Sequence, residues 1–231
     1  MKKMKTAFTS LIFVIALQFI TLAAEKPNVI FILADDQGYE DLESYGAKNF
    51  KTPNINKLAA EGIRFTDYYA PAALCTPSRA GLLTGCYPKR IGMEKFVILT
   101  WDKHGINNDE LTLAELFKKA DYKTACIGKW HVGHEMPFLP NQQGFDYFSG
   151  IPYSNDMGTD WYLPENGPKK YHASYDKLRP IYQKLAKTPL PVYRNNHIVG
   201  EDPEQSGLTQ NFTQDTLAFI KEEQHNPFFI Y

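Results

Sequence analysis

Three short stretches of this chain carry side chains able to do chemistry. Asp35 and Asp36 are adjacent acids directly after an apolar run. Two unpaired carboxylates so close repel, and at least one resists ionisation unless a cation removes the conflict. Hard oxygen donors of this kind suit Ca²⁺ or Mg²⁺ rather than a soft metal, with a turn capped by one Asp as the equal alternative. Cys75-Thr76-Pro77-Ser78-Arg79 sets a cysteine just before a helix, where unpaired N–H groups and the positive dipole end favour a nucleophile or an anion. Arg79, one turn on, has the forked donors to fix that centre or a tetrahedral oxyanion; a buried thiol and a surface arginine are the plain alternatives. Lys129 and His131 stand two apart, which in an extended segment turns both side chains to one face and suits joint contact with one anionic group, with a surface turn around a packed Trp130 as the commoner alternative for such a stretch alone.

These residues need elements to hold them. Asn28 to Ala34 is a continuous apolar, β-branched run and predicts a strand covered on both faces, as in a parallel sheet. Thr52-Pro53 opens a helix with an apolar stripe at Ile55, Leu58 and Ala59, closed by Gly62. Ile63 to Tyr69 predicts the next strand, and Ser78 to Thr84 a helix ended by Gly85. Asn108 or Asp109 caps a helix running through Leu111, Leu113, Leu116 and Phe117, and Tyr122 to Ile127 forms another strand. From His134 to about Asp202, Pro, Gly, Asn and Tyr abound without sustained periodicity, which predicts long surface loops. Leu208 to Glu223 is helical, and Pro227 to Tyr231 begins a buried strand. Alternating strands and helices indicate an α/β fold with a mostly parallel sheet flanked by helices. In such sheets functional groups gather beyond the carboxyl ends of the strands, where Asp35-Asp36, Cys75 and Lys129 to His131 all fall.

Composition bounds the rest. The chain has 231 residues, 43% hydrophobic, 22% charged and 14% aromatic, which excludes disorder, collagen and coiled coil. The formal net charge of −1 calls for no nucleic-acid or anionic-membrane partner, so any anion site is local. Residues 1–24 run from basic (three lysines by Lys5) through an apolar core (Leu11 to Ile20) to small residues at Ala23-Ala24, the order of a secretory signal peptide. Its core is short for a membrane span, so we expect cleavage there, no stable span afterwards and a periplasmic or secreted product. Three cysteines, Cys75, Cys86 and Cys126, are too few for a disulfide scaffold; Cys86 and Cys126 are either a pair or two small core residues. His104, His134, His172 and His197 show no metal-ligand spacing. Asn211-Phe212-Thr213 fits a glycosylation sequon but falls in a predicted helix, and Trp161, Tyr162 and Tyr171 are expected to pack loops.

The stretch from Cys75 to Gly85, CTPSRAGLLTG, resembles the signature of type I sulfatases, in which C-x-P-x-R directs conversion of the cysteine to formylglycine. Pro27 to Asp36, Thr52 to Ile55, Gly128 to His131 and Gly150-Ile151-Pro152-Tyr153-Ser154 match in the expected order, the last resembling the arylsulfatase A branch. The resemblance implies an alkaline phosphatase-like superfamily fold and, for residues 25–231, the N-terminal portion of a sulfatase catalytic domain. The missing later histidine, calcium ligands and second lysine imply that this portion alone is inactive. It implies hydrolysis of a sulfate monoester through the hydrated aldehyde of residue 75: one hydroxyl attacks sulfur, the alcohol leaves, and the other expels sulfate. Asp35, Asp36 and the modified Cys75 would then hold Ca²⁺, in preference to Mg²⁺; Arg79 would hold the diol; Lys129 and Ser154 would bind sulfate; and His131 would move a proton during elimination. The implied partners are a sulfated small molecule or glycan and a formylglycine-generating or anaerobic sulfatase-maturing enzyme. A related phosphate or phosphonate ester hydrolase and an inactive sulfate- or glycan-binding fragment are the rival expectations.

Overall fold

A computed structural model describes residues 26–158, 181, 184 and 188–231. The segment read as a signal peptide lies outside the described residues, as do Trp161, Tyr162, Tyr171 and His172. One mixed sheet runs through the molecule in the order β1 (Val29–Ile30), β6 (Phe228–Ile230), β2 (Lys123–Lys129), β3 (Tyr147–Ile151), β4 (Pro191–Arg194), β5 (His197–Glu201). The first four strands in that order are mutually parallel, and β4 and β5 add an antiparallel hairpin at the far edge. The expected mostly parallel α/β architecture is therefore present.

Side-chain alternation along the central strands sorts the core into two layers. Cys126 on β2 and Phe229 on β6 join a cluster with Ala80, Leu83 and Ala114, from helices α2 (Cys75–Thr84) and α3 (Leu113–Lys119). Their neighbours Ala125, Phe228 and Ile230 point the opposite way and pack with Phe219 of α4 (Leu208–Glu222). A period of two thus buries β2 and β6 on both faces. Aromatic rings fill the first layer: Phe117 stacks on Phe229 at 4.2 Å between centroids, and Phe145 meets Trp130 edge-on at 5.8 Å.

Several expectations are corrected. The apolar run at 28–34 pairs only at Val29–Ile30, with one further bond from the Phe31 N–H to the Ile230 carbonyl, and Ile32 is 84% exposed rather than covered on both faces. Among the described residues β1 is an edge strand with β6 as its one neighbour, so half of its backbone has no partner among the described strands. Ile63 to Tyr69 forms no strand: no described strand pairs with it, and Phe65 and Tyr69 are exposed. Helix α1 (Pro53–Glu61) forms where Thr52-Pro53 predicted, but Ile55 and Leu58 are exposed instead of packed. Helix α3 starts later than expected, because Thr112, not Asn108 or Asp109, is its cap: Thr112 Oγ1 accepts from the Glu115 N–H and Glu115 accepts from the Thr112 N–H.

The stretch expected to be loops contains β3, β4 and β5. A two-residue turn, Asn195-Asn196, joins the last two strands, with Asn195 at φ 54° as such hairpin turns require. All three cysteines are free thiols, Cys126 being fully buried, so the disulfide alternative is not realised. The sequon lies inside α4, as expected.

The parallel register between β2 and β3 sets Gly128 opposite Gly150. Gly128 adopts φ 109°, and a Cβ on Gly150 would overlap the Gly128 carbonyl. This approach fixes where both strands deliver their C-terminal residues. Gly150→Ala is accordingly expected to lower stability by about 1–3 kcal/mol, read as a reduced urea midpoint; an unchanged midpoint would show that the strands separate without cost.

Candidate active site

Parallel strands place their carboxyl ends on one rim, and that rim collects the reactive residues. Asp35 follows β1, Lys129 ends β2, Ser154 follows β3, and Tyr231 follows β6. Cys75 comes from the other direction, as the first residue of α2 with Leu74 as cap, so the helix begins three residues before the expected Ser78. Arg79 is one turn further in and 4% exposed.

Arg79 joins these segments. Its Nη1 donates to the Lys129 carbonyl (2.5 Å) and to Tyr231 Oη (3.2 Å), and its Nη2 faces Asp35 Oδ1 at 3.5 Å. Lys129 Nζ bonds the second Asp35 oxygen at 2.5 Å and the Ser154 hydroxyl at 3.2 Å. Burial alone would raise the Asp35 pKa, but the Lys129 hydrogen bond and charge, with Arg79 beside them, hold it below the ordinary carboxylate range. Burial pushes the Tyr231 phenol up to about 12, against the opposing pull of Arg79, so it is a neutral hydrogen-bonding group. Two cations thus share one carboxylate, and the countercharge for Asp35 comes from the chain itself. Asp36 follows in the left-handed conformation, φ 54°, and is exposed.

His131 departs from the extended geometry expected of it. It adopts φ 59°, is fully buried, and sets Nε2 2.9 Å from the Ile98 carbonyl. A carbonyl only accepts, so Nε2 carries the proton and Nδ1 keeps its lone pair. Burial first, then the Lys129 charge, push its pKa down to about 3, with the Ile98 hydrogen bond opposing. The imidazole is therefore neutral at ordinary pH.

Residues 27–231 match the sulfatase family. The chain belongs to the sulfatase family. It is 41% identical to Arylsulfatase G of Mus musculus over 216 residues and 40% identical to Arylsulfatase A of Bos taurus over 215, covering 90% of this chain in each comparison. The same regions amount to 40% and 41% of those relatives, so the chain spans about two fifths of their length. Among solved structures, Ps i-CgsB in complex with k-i-k-neocarrahexaose shares 30% identity at a TM-score of 0.70, over 90% of this chain and 44% of that one. A protein solved with its substrate D-Glucosamine-2-N, 6-O-disulfate shares 27% identity at a TM-score of 0.61, over 89% and 33%.

Within this sulfatase rim, a cavity of about 560 Å³ is lined by Asp35, Asp36, Cys75, Ser78 and Arg79. A second, of about 540 Å³, is lined by Asp35, Arg79, Lys129, Asn155 and Tyr231, so the two adjoin at Asp35 and Arg79. The donor set fits part of a hard-cation shell. Each Asp35 oxygen has one protein partner and a lone pair to spare, and Asp36 and Cys75 face the same cavity. Ca²⁺ takes six to eight oxygens, and among the described residues no three of His, Cys, Asp and Glu gather closely enough to hold a metal. Among the buried side-chain atoms of the described residues that lack partners are two from this group, Arg79 Nε, a donor, and His131 Nδ1, an acceptor. A hydroxyl-bearing group both donates and accepts, which is the chemistry an aldehyde hydrate at position 75 would bring.

Strand order placed Asp35, Asp36, Cys75 and Lys129 to His131 on one rim, and the resemblance added Arg79 and Ser154; the structure sets Asp35, Asp36, Cys75, Arg79, Lys129 and Ser154 around the two cavities or in contact with their lining, with His131 buried behind them. Sequence reasoning passed over three others. Tyr231 was read as strand core, although its place just past a parallel strand was a signal for the rim. Asn155, bonded to Gln205 at 2.9 Å, and Thr76, hidden as the variable residue of C-x-P-x-R, carried no signal of their own. Tyr231→Phe removes one donor-acceptor contact of a buried guanidinium and is expected to cost about 1–2 kcal/mol in chemical denaturation. No change would leave the support of Arg79 to Asp35 and the Lys129 carbonyl.

Proposed function

We propose that this chain works in a sulfatase that hydrolyses a sulfate monoester to an alcohol and inorganic sulfate. The observation that carries this reading is the rim itself: Lys129 Nζ stands between Asp35 and Ser154, beside a buried arginine and a helix that begins at Cys75. Lys129 and the Ser154 hydroxyl bind sulfate oxygens, an arrangement favoured by the excess of cationic over anionic groups around Asp35. The helix start behind Cys75 adds the positive dipole end toward the same anion. Arg79, held by Asp35, the Lys129 carbonyl and Tyr231, orients residue 75 through its free Nε–H.

Residue 75 acts as formylglycine in this reading, which supplies an oxygen nucleophile in place of the thiol. Asp35 and Asp36, with residue 75, would hold a calcium ion, which would supply charge to polarise the sulfate oxygens. His131 takes and returns a proton at Nδ1; an arriving sulfate offsets the Lys129 and Arg79 charges that depress its basicity. Thr76, Pro77 and Arg79 are buried in the fold, so a maturing enzyme that reads this motif acts before the chain folds. The two complexes with a carrahexaose and a disulfated glucosamine support a sulfated glycan as substrate. The basic-apolar-small order of residues 1–24 supports export to the periplasm or exterior.

In the protein carrying this chain, Cys75→Ala is expected to abolish aryl sulfate hydrolysis, and Lys129→Ala to lower it on the order of 10²–10³-fold. Faster turnover of the matched aryl phosphate, or wild-type rates in either variant, would overturn the reading. Mass spectrometry of the residue 75 peptide from the native host is expected to show the aldehyde. Incubation with a calcium chelator is expected to suppress activity, with recovery on adding Ca²⁺; full activity after metal removal contradicts the calcium assignment.

A further inference from the structure

Thr76 sits beside the reactive position, yet its side chain points away from the substrate cavities. It is 1% exposed, and its hydroxyl makes two hydrogen bonds. Oγ1 donates to the His131 carbonyl at 2.8 Å and accepts from the Ile98 N–H at 3.0 Å. His131 Nε2 in turn bonds the Ile98 carbonyl at 2.9 Å. The three contacts close a ring: Thr76 grips His131 by its backbone and Ile98 by its amide, and the imidazole spans the gap between them.

From this closed ring we infer that Thr76 is a positioning residue for His131, fixing both the direction of its imidazole and the tautomer with the proton on Nε2. Three features argue for it. A serine or threonine hydroxyl is one donor and an acceptor at once, and here both capacities are used on buried backbone groups with no other way to be paired by this side chain. His131 has φ 59°, a conformation that a non-glycine residue keeps only where its surroundings over-determine it. Its N–H is tied to the Pro152 carbonyl at 3.0 Å, and Thr76 ties the other end of the residue. Nδ1 is left buried and unpartnered, so the fixed tautomer keeps an acceptor, not a donor, at that atom. Thr76 is attached covalently to Cys75, so displacement of the helix start and of the imidazole are coupled through its side chain.

The hydrogen-bond ring and the tautomer stand on the geometry alone; that they serve catalysis rests on the sulfatase reading. The test is therefore in two arms on the full protein. Nitrogen-15 spectra of the His131 ring are expected to show a single Nε2–H tautomer in the wild type and in Thr76→Ser, and mixed or reversed tautomers in Thr76→Val. Aryl sulfate kinetics are expected to show Thr76→Val lowering kcat roughly 10²-fold, as for a small misplacement of a reacting group, with KM little changed. Thr76→Ser is expected to stay near the wild-type rate.

A folded Thr76→Val protein that keeps the wild-type tautomer and kcat overturns the proposal. Absence of turnover in the wild type overturns the sulfatase reading and leaves the tautomer comparison to decide the role of Thr76. Where circular dichroism shows that Thr76→Val does not fold, the wild type decides: a single Nε2–H tautomer with a slowly exchanging Ile98 amide sustains the ring, and a mixed tautomer or a rapidly exchanging amide overturns it.

Discussion

The buried guanidinium of Arg79 is the contact on which the rest of the site depends. A charge taken out of water costs several kcal/mol unless its donors are paired, and Arg79 engages both terminal nitrogens by reaching groups at or beyond the ends of three separate strands, with only Nε–H left over. It touches Asp35 in the segment beyond β1, the backbone at the end of β2 and the phenol after β6, while its own helix begins at Cys75. None of those segments is near another in sequence. The requirement to pair one charge therefore converts four distant pieces of chain into one surface, and it does so at the ends of strands whose parallel order already brings them close.

The electrostatics follow from that pairing. Asp35 is one carboxylate for two cations, so the immediate surroundings carry an excess positive charge although the whole chain has a formal net charge of −1. Such a local excess favours a tetrahedral anion and disfavours a bare divalent cation. Exposed Asp36 reduces the imbalance, and a bound sulfate would reverse it. Under the proposed function, anion and metal would therefore support one another at this rim, each lowering the cost of the other. Burial first, and then the same field, keep His131 neutral, which leaves orientation, rather than charge, as what the protein must supply.

The sequence was most legible where chemistry and topology agree. Each reactive stretch had an ordinary alternative taken singly, but strands with parallel order must deliver their ends to one side, so Asp35, Asp36 and Lys129 belong together once the α/β pattern is read, whereas Ser154, in a stretch expected to be loops, was placed by the sulfatase resemblance alone. Partnering was less legible. Ile63 to Tyr69 has the β-branched and aromatic content of a strand, yet a strand exists by pairing, and among the described residues none pairs with it. The opposite error occurred in the stretch after His134, where Gly and Asn suggested loops. Gly150 is there because β3 passes too close to Gly128 for a side chain, and Asn195 because a two-residue hairpin needs a left-handed turn. Both are requirements of strands, expressed through residues that otherwise signal their absence.

Thr76 shows the limit of motif reading from the other side. In C-x-P-x-R the fixed letters advertise themselves and the variable ones do not, but a variable position can still be committed by its surroundings. Here the commitment arises from two backbone groups, the His131 carbonyl and the Ile98 amide, which no periodicity or spacing encodes. They become visible only when three segments meet in a dry interior, where an unmade hydrogen bond costs about 1–3 kcal/mol. A threonine that would pass as filler on the surface is then required to hold both partners. Position in the fold, rather than membership in a motif, decides which side chains beside the reacting group are free to vary.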